Sequence, residues 1–365
     1  MQTGIIVLAA GEGTRMRSAT PKVLHELCGR SLLGHVLAVA DALAAAVTAV
    51  VLAPDTIDRI AAHFGSGPRP AQPYQYVMQT ERLGTGHAVR QAQAALADTC
   101  DEVLVLYGDT PLVRAATVRG LIEARRSADA VLALLSFRPA HPTGYGRVAR
   151  DGRGRVIELI EERSATPEQR AIRECNSGIM AFKAEWLWPA LARLTPNAHK
   201  GEYYLTDLVA MAVAEFGAGA ALAIEAADER EAWGANDRVQ LAQLDAVLRG
   251  WLLEDLMRSG VTVVDPQNTY LDVGVTIGQD TRIEPGCVLR GSTRIGARCV
   301  IGPHTTLIDT EIGDDAVVRH VLIEADTVAP GDRVGTQHAA SAPASTAASG
   351  SEASASVRAH ERRRK

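Results

Sequence analysis

Residues 8–22, Leu-Ala-Ala-Gly-Glu-Gly-Thr-Arg-Met-Arg-Ser-Ala-Thr-Pro-Lys, combine the groups that hold an anion. Gly11 and Gly13 let backbone amides approach a negative charge closely, because no Cβ stands in the way. Arg15 and Lys22 add two fixed positive charges. The loop follows an apolar run, Gly4–Leu8, that reads as a buried strand. A strand opening into such a loop predicts a polyphosphate site, with a nucleoside triphosphate as the expected ligand. The spacing is not that of the Walker loop, which needs Gly-Lys-Ser/Thr. Nor is it the dinucleotide fingerprint, which would need glycine where Met16 stands. With 32 glycines in the chain, a plain strand-to-helix turn is the alternative for Gly-x-Gly alone.

Three further groups of residues carry chemistry. Gln79 with Leu83-Gly84-Thr85-Gly86-His87-Ala88 sets glycines and a threonine at a helix start, where amides and the positive helix end meet polar ligand groups. Gln79 and Gly84 together suit a pyrimidine edge; a structural helix cap is the alternative. Tyr107-Gly108-Asp109-Thr110-Pro111-Leu112 follows a strongly apolar run, which puts Asp109 at the carboxyl end of a strand. A carboxylate there, opposite a phosphate loop, can hold Mg²⁺, and the amide oxygen of Asn236 can complete the set; a turn aspartate is the alternative. Gly146, Glu161 and Asn176 form the third group, a carboxylate and an amide that suit the hydroxyls and acetamido group of a sugar. The run Gly201–Asp207 begins a helix. His25 and His87 are expected as structural hydrogen-bonders rather than proton-transfer groups.

The elements that must position these residues follow from pattern. The chain has 365 residues, 47% hydrophobic and 22% charged, with a formal net charge of −5. That composition describes a globular protein and gives no reason to expect nucleic acid as a partner. Five cysteines (Cys28, Cys100, Cys175, Cys287, Cys299) lack metal-ligand spacing and read as reduced structural thiols. The chain begins almost directly with a strand, so no leader peptide is expected. The most apolar window, 34–53, carries His35, Asp41 and Thr48, which argues against membrane insertion. A cytoplasmic location is therefore expected.

Val47–Leu52, Glu102–Tyr107 and Ala130–Phe137 read as strands. Leu32–Ala45, Gly86–Leu96 and Thr117–Ser127 read as the helices between them. This alternation predicts an α/β, Rossmann-like domain with a mostly parallel sheet over 1–238. In such sheets ligands sit at the carboxyl ends of the strands, so the loops at 9–22 and 108–111 share an edge. Residues 144–161 read as a hairpin, and 239–260 as the main part of a helical linker arm.

The period then changes. Ile277, Ile283, Leu289, Ile295, Ile301 and Leu307 recur every six residues, with Gly278, Gly296 and Gly302 each following an anchor. Six-residue repeats of this kind predict a short left-handed parallel β-helix over 261–335, about four coils. The register slips near Ile312-Gly313. Residues 336–365 are rich in Ala and Ser, contain no Leu, Ile or aromatic residue, and are expected to be disordered.

Residues 1–335 closely resemble the bacterial bifunctional N-acetylglucosamine-1-phosphate uridyltransferase/glucosamine-1-phosphate acetyltransferases. Leu-Ala-Ala-Gly-x-Gly-Thr-Arg-Met, Pro-Lys-Val-Leu-His, Leu-Gly-Thr-Gly-His-Ala, Tyr-Gly-Asp-Thr-Pro-Leu, Gly-Tyr-Gly-Arg, Asn-Ser-Gly and Glu-Tyr-Tyr-Leu-Thr-Asp occur in that family's order. The resemblance implies that Leu8, Ala9, Ala10, Gly11, Lys22, Gln79, Gly84 and Thr85 contact the nucleotide, that Tyr107, Gly108 and Asn236 also bind substrate, and that Arg15 and Lys22 are catalytic, Arg15 steadying the triphosphate. It implies that Gly146, Glu161 and Asn176 meet the sugar, and that Asp109 and Asn236 hold Mg²⁺. The implied substrates are UTP and N-acetylglucosamine 1-phosphate. The implied product, UDP-N-acetylglucosamine, is a precursor of peptidoglycan and lipopolysaccharide.

The implied assembly is a homotrimer through the β-helix. In the family the β-helix runs on and carries the acetyl-transfer residues. These have no counterpart here, so acetyl transfer is expected to be absent. The alternatives are action on another sugar 1-phosphate, a non-catalytic nucleotide-sugar-binding subunit, or acetyl transfer with the missing coils supplied by another chain.

Overall fold

The apolar runs of the first two-thirds of the chain need neighbours on both sides, and they find them in one mixed sheet. The computed structural model describes residues 1–65, 74–197 and 201–335. The sheet order is 221–225, 132–137, 175–183, 102–107, 3–8, 47–52, 75–78. Thr3–Leu8 lies parallel between Val47–Leu52 and Glu102–Tyr107. Ile5, Ile6, Val7, Val103 to Leu106 and Leu132 to Leu135 have no exposed surface. They divide between two apolar clusters, one on each face, as a helix-covered sheet requires.

Cys175–Lys183 departs from the parallel pattern, running antiparallel between Glu102–Tyr107 and Leu132–Phe137. Its polar first half, Cys-Asn-Ser-Gly, hides the strand from a periodicity reading, and the register shifts between Asn176 and Met180. Such an irregularity re-aims side chains beside a site. The hairpin expected over 144–161 is present as Arg147–Arg150 paired with Val156–Ile160.

Two helices differ from expectation. The first spans Leu32–Ala42, capped by the Ser31 hydroxyl, which accepts from Gly34 N. It stops three residues short of Ala45 because Ala44 takes a left-handed conformation, φ 51°. The stretch expected as one helix over 86–96 divides into Thr85–Gln91 and Gln93–Leu96.

The arm is one helix, Arg238–Arg258, capped by the Asp237 side chain on Gln240 N. Its Leu244 packs with Leu27, Leu32 and Leu112 of the first domain. Its Leu253 joins the β-helix core. One helix thus belongs to two cores, which couples the domains.

The repeats form three parallel sheets, the faces of a left-handed β-helix. Thr276 pairs with Arg294, Arg294 with Glu311, and Glu311 with Thr327, so coils shorten from 18 to 17 to 16 residues. This explains the slip in the six-residue pattern: Ile312 follows Leu307 by five residues, yet both are buried. Thr269, Thr281, Thr293, Thr305 and Thr310 are buried in the coils. Their hydroxyls bond main-chain groups, as Thr281 does to Gly296 O at 2.7 Å.

All five cysteines are buried and free. Among the described residues no helix is long and apolar enough to cross a membrane. The tail expected to be disordered, 336–365, lies outside the described residues.

Candidate active site

The carboxyl ends of Thr3–Leu8 and Glu102–Tyr107 open into a cleft of about 410 Å³. Gly108 N donates to Leu8 O at 2.9 Å, which ties the two strand ends together. Gly13 has φ 63°, and a Cβ there would meet Lys22 Cβ at 2.5 Å; the loop can close over Lys22 only with glycine. At Gly11 a Cβ would meet nothing within 4 Å. Gly11 therefore fronts open space in the cleft, where a side chain would compete with a ligand. Met16, buried in the turn Thr14–Met16, anchors the loop.

Residues far apart in sequence converge here. Lys22 Nζ contacts Asp109 Oδ2. It also donates to Asn236 Oδ1 at 3.0 Å, and Arg15 Nη2 donates to the same oxygen at 2.9 Å. Asn236 is held from behind: its N–H donates to Gln240 Oε1 at 2.7 Å, and Ala235 N donates to Asp109 O at 3.0 Å. Two oxygen donors and two cations thus face the glycine loop.

The other wall of the cleft begins at Gln79, which is buried. Its amide nitrogen lies 3.2 Å from Gly84 O and 3.1 Å from His87 Nδ1. Gly84 has φ 95°, and a Cβ there would meet Tyr203 O at 2.6 Å. Gly86 N donates to Tyr203 O at 2.8 Å, and Leu205 N donates to Thr85 Oγ1 at 3.0 Å. The Glu-Tyr-Tyr-Leu-Thr-Asp run therefore pins the Leu83–Ala88 turn in place. Burial lowers the pKa of His87 and favours its neutral form. Its ring nitrogens meet Gln79 and Gln91, in keeping with a structural role. His25 is buried with no hydrogen-bond partner at Nε2.

Gly146, Glu161 and Asn176 come together outside the lining of the cleft around the glycine loop. A Cβ on Gly146 would lie 3.9 Å from Asn176 Cβ and 4.0 Å from Glu161 Oε1. Asn176 N donates to Gly146 O at 2.9 Å, and Thr206 Oγ1 donates to Glu161 Oε1 at 3.2 Å. Tyr107 joins the two ends. Burial, with the charges of Asp109 and Glu161, pushes the pKa of its hydroxyl up. A Cβ on Gly178 would meet the Tyr107 ring at 2.6 Å, so glycine at 178 lets that ring approach the Asn176 strand closely.

Arg82, which also lines the cleft, carries no signal in the motifs. Its guanidinium reaches Ala10 O at 3.3 Å, Glu12 Oε1 at 2.9 Å and Asp55 Oδ1 at 3.0 Å. It straps the glycine loop to the turn after Val47–Leu52. Only its place beside Leu83-Gly84 hints at this, because both carboxylate partners are distant in sequence.

Residues 5–177 match the MobA-like NTP transferase domain, and residues 274–308 match the bacterial transferase hexapeptide (six repeats). The bifunctional protein GlmU of Thermobifida fusca is 45% identical over 332 residues, covering 89% of this chain and 67% of the relative. That of Pelotomaculum thermopropionicum is 44% identical over 325 residues, covering 88% and 69%. That of Alkalilimnicola ehrlichii is 42% identical over 335 residues, covering 91% and 69%. The chain spans about two-thirds of the length of these relatives. With the fold and the cleft described above, these matches show that the chain belongs to the GlmU family and is a nucleotidyltransferase of the kind that makes UDP-N-acetylglucosamine by uridylyl transfer.

Proposed function

We propose that the cleft binds UTP and N-acetylglucosamine 1-phosphate at its two ends and joins them in one in-line displacement. The convergence of Lys22, Arg15, Asp109 and Asn236 on the glycine loop is the observation that carries this reading. A sugar 1-phosphate is mostly dianionic at neutral pH, because the second pKa of a phosphate monoester is about 6. Its oxygen attacks the α-phosphorus of UTP, the bond from that phosphorus to the β-bridging oxygen breaks, and pyrophosphate leaves. The nucleophile is already charged, so no general base is needed.

Catalysis then rests on positioning and on neutralising charge. Amides around Gly11 and Gly13, with Arg15 and Lys22, receive the triphosphate. The Gln79 amide nitrogen is engaged by Gly84 O, which leaves its carbonyl oxygen to accept from the uracil imide N–H. Glu161 and Asn176 present an acceptor and an amide to the sugar.

Asp109 and Asn236 fit a magnesium ion. Their two oxygens already converge on one positive centre, the Lys22 ammonium. One carboxylate with one neutral oxygen is a usual protein share, because Mg²⁺ keeps waters and takes substrate phosphates as further ligands. Bound there, the ion supplies Lewis-acid charge stabilisation at the transferring phosphate.

A non-catalytic binding subunit would not need both cations and both oxygens aimed at one point. We further propose that the 365-residue polypeptide transfers no acetyl group by itself, that it trimerises through the β-helix, and that it works in the cytoplasm, where UTP is available. Pyrophosphate release from UTP with N-acetylglucosamine 1-phosphate tests the main reading. Faster turnover of glucose 1-phosphate would move the substrate assignment and leave the reaction class in place. Acetyl-coenzyme A with glucosamine 1-phosphate tests the second activity, and its turnover would contradict the proposed loss. Mass in solution tests the trimer.

A further inference from the structure

We propose that Lys22 competes with the divalent ion for its site: the ammonium holds the meeting point of Asp109 and Asn236 until a polyphosphate draws it away. The inference rests on the site reading above and concerns the order in which the groups assemble. Lys22 Nζ touches Asp109 Oδ2 and donates to Asn236 Oδ1 at 3.0 Å. These are the same two oxygens that suit the ion. Arg15 occupies Asn236 Oδ1 as well, at 2.9 Å. A divalent ion entering this cluster alone meets two fixed positive charges at contact range and must displace one of them.

The Lys22 stem has little freedom to retreat. The side chain is 10% exposed, and Gly13 closes so tightly over its Cβ that no other residue fits. What can move is the flexible end of the four-carbon chain, and it needs another anion to move to. The triphosphate provides one, because the glycine loop that would cradle it lies directly over Lys22. The nucleotide therefore supplies the charge that makes the metal site habitable and removes its occupant in the same step. Metal and nucleotide must then favour one another by the same factor, since coupling between binding sites is reciprocal.

The test measures protein-retained Mn²⁺ by equilibrium dialysis of the full chain without nucleotide, for wild type, Lys22→Met and Lys22→Arg. Methionine keeps the length of the stem and removes the charge. Lys22→Met should retain Mn²⁺ about tenfold more tightly than wild type, within the usual range of site coupling, while Lys22→Arg stays weak. Adding Asp109→Asn to Lys22→Met should abolish the gain. Equal or weaker Mn²⁺ retention by Lys22→Met overturns the proposal. A gain that survives Asp109→Asn instead overturns the assignment of the metal to Asp109, and uridylyl transfer by wild type is judged separately. If Lys22→Met fails to fold, wild type decides. Its Mn²⁺ retention should rise about tenfold when UDP is present, and no rise overturns the proposal.

Discussion

The cleft around the glycine loop and the neighbouring group of Gly146, Glu161 and Asn176, proposed as the two ends of one site, are built from different chemistry. The end proposed for the phosphates gathers charge: Arg15 and Lys22 meet on the amide oxygen of Asn236, 221 and 214 positions away, and Lys22 meets Asp109, 87 positions away. The end proposed for the sugar presents no cation. It consists of Gly146, the Asn176 amide and the Glu161 carboxylate, held by the main-chain bond from Asn176 to Gly146 and by the Thr206 hydroxyl. Charge that develops at a transferring phosphate needs preorganised cations, and such groups act on the rate of the chemical step. Hydroxyls and an acetamido group do not change charge during the reaction, so their partners act mainly through binding. The two ends should therefore fail differently when damaged.

Lys22→Met gives the largest expected effect, a fall of about 10²–10³ in kcat, the usual loss on removing one preorganised electrostatic group. Steady-state kinetics with both substrates saturating would show it. A loss confined to the KM of the sugar phosphate would break the comparison between the two ends.

Acid should loosen the scaffold of the phosphate end selectively. His35 is buried beneath that segment with Nε2 against Leu27 O at 2.8 Å, and burial holds its pKa down to about 4. The unfolded chain binds this proton from about pH 6.5 downward. The folded pKa is the lower one, so stability is full above pH 6.5 and falls until about pH 4, by roughly 3 kcal/mol. Denaturant midpoints across this range should show the slope, and His35→Gln should flatten it. On acidification, hydrogen exchange over residues 20–31 should rise before that over 146–161.

Glu161→Gln should lower kcat/KM for the sugar phosphate by about 10- to 100-fold, the usual range for a hydrogen bond to a charged group. The KM for UTP should be unchanged; a shift in it would merge the two ends. Arg82→Ala should have the smallest effect. Its ion pairs with Glu12 and Asp55 are more than one-third exposed on both sides. Such pairs contribute about 0–1 kcal/mol, so the KM for UTP should rise no more than about fivefold with kcat retained. Loss of kcat would promote Arg82 from holding the loop to touching the reacting phosphates.

The phosphate end was legible in the sequence because its residues sit in short strings whose glycines and charges are close together. Lys22 and Asp109 each carry a reading from their own strings, whereas Asn236 gains weight only through the family resemblance. That the loops of Lys22 and Asp109 share one sheet edge follows from the strand–helix alternation, and Thr3–Leu8 does pair in parallel with Glu102–Tyr107; the meeting of Asn236 with Arg15 and Lys22 has no such signal in the spacing. The strand Cys175–Lys183 was hidden because Asn176 and Ser177 break the apolar run where it enters the site. Arg82 was invisible for a different reason: a charged residue in a turn looks solvated until its distant carboxylates arrive. The β-helix was legible as a six-residue period, and the slip near Ile312-Gly313 reflects a coil shortened by one residue, Arg294 pairing with Glu311.

The central claim is that one cleft transfers a uridylyl group with Asp109 and Lys22 at its phosphate end. Its most direct measurement is pyrophosphate release from UTP and N-acetylglucosamine 1-phosphate, by wild type and by Asp109→Ala. Wild type should turn over, and the variant, its fold checked by its unfolding midpoint, should lose about 10² or more. Wild-type turnover matched by folded Asp109→Ala would contradict it.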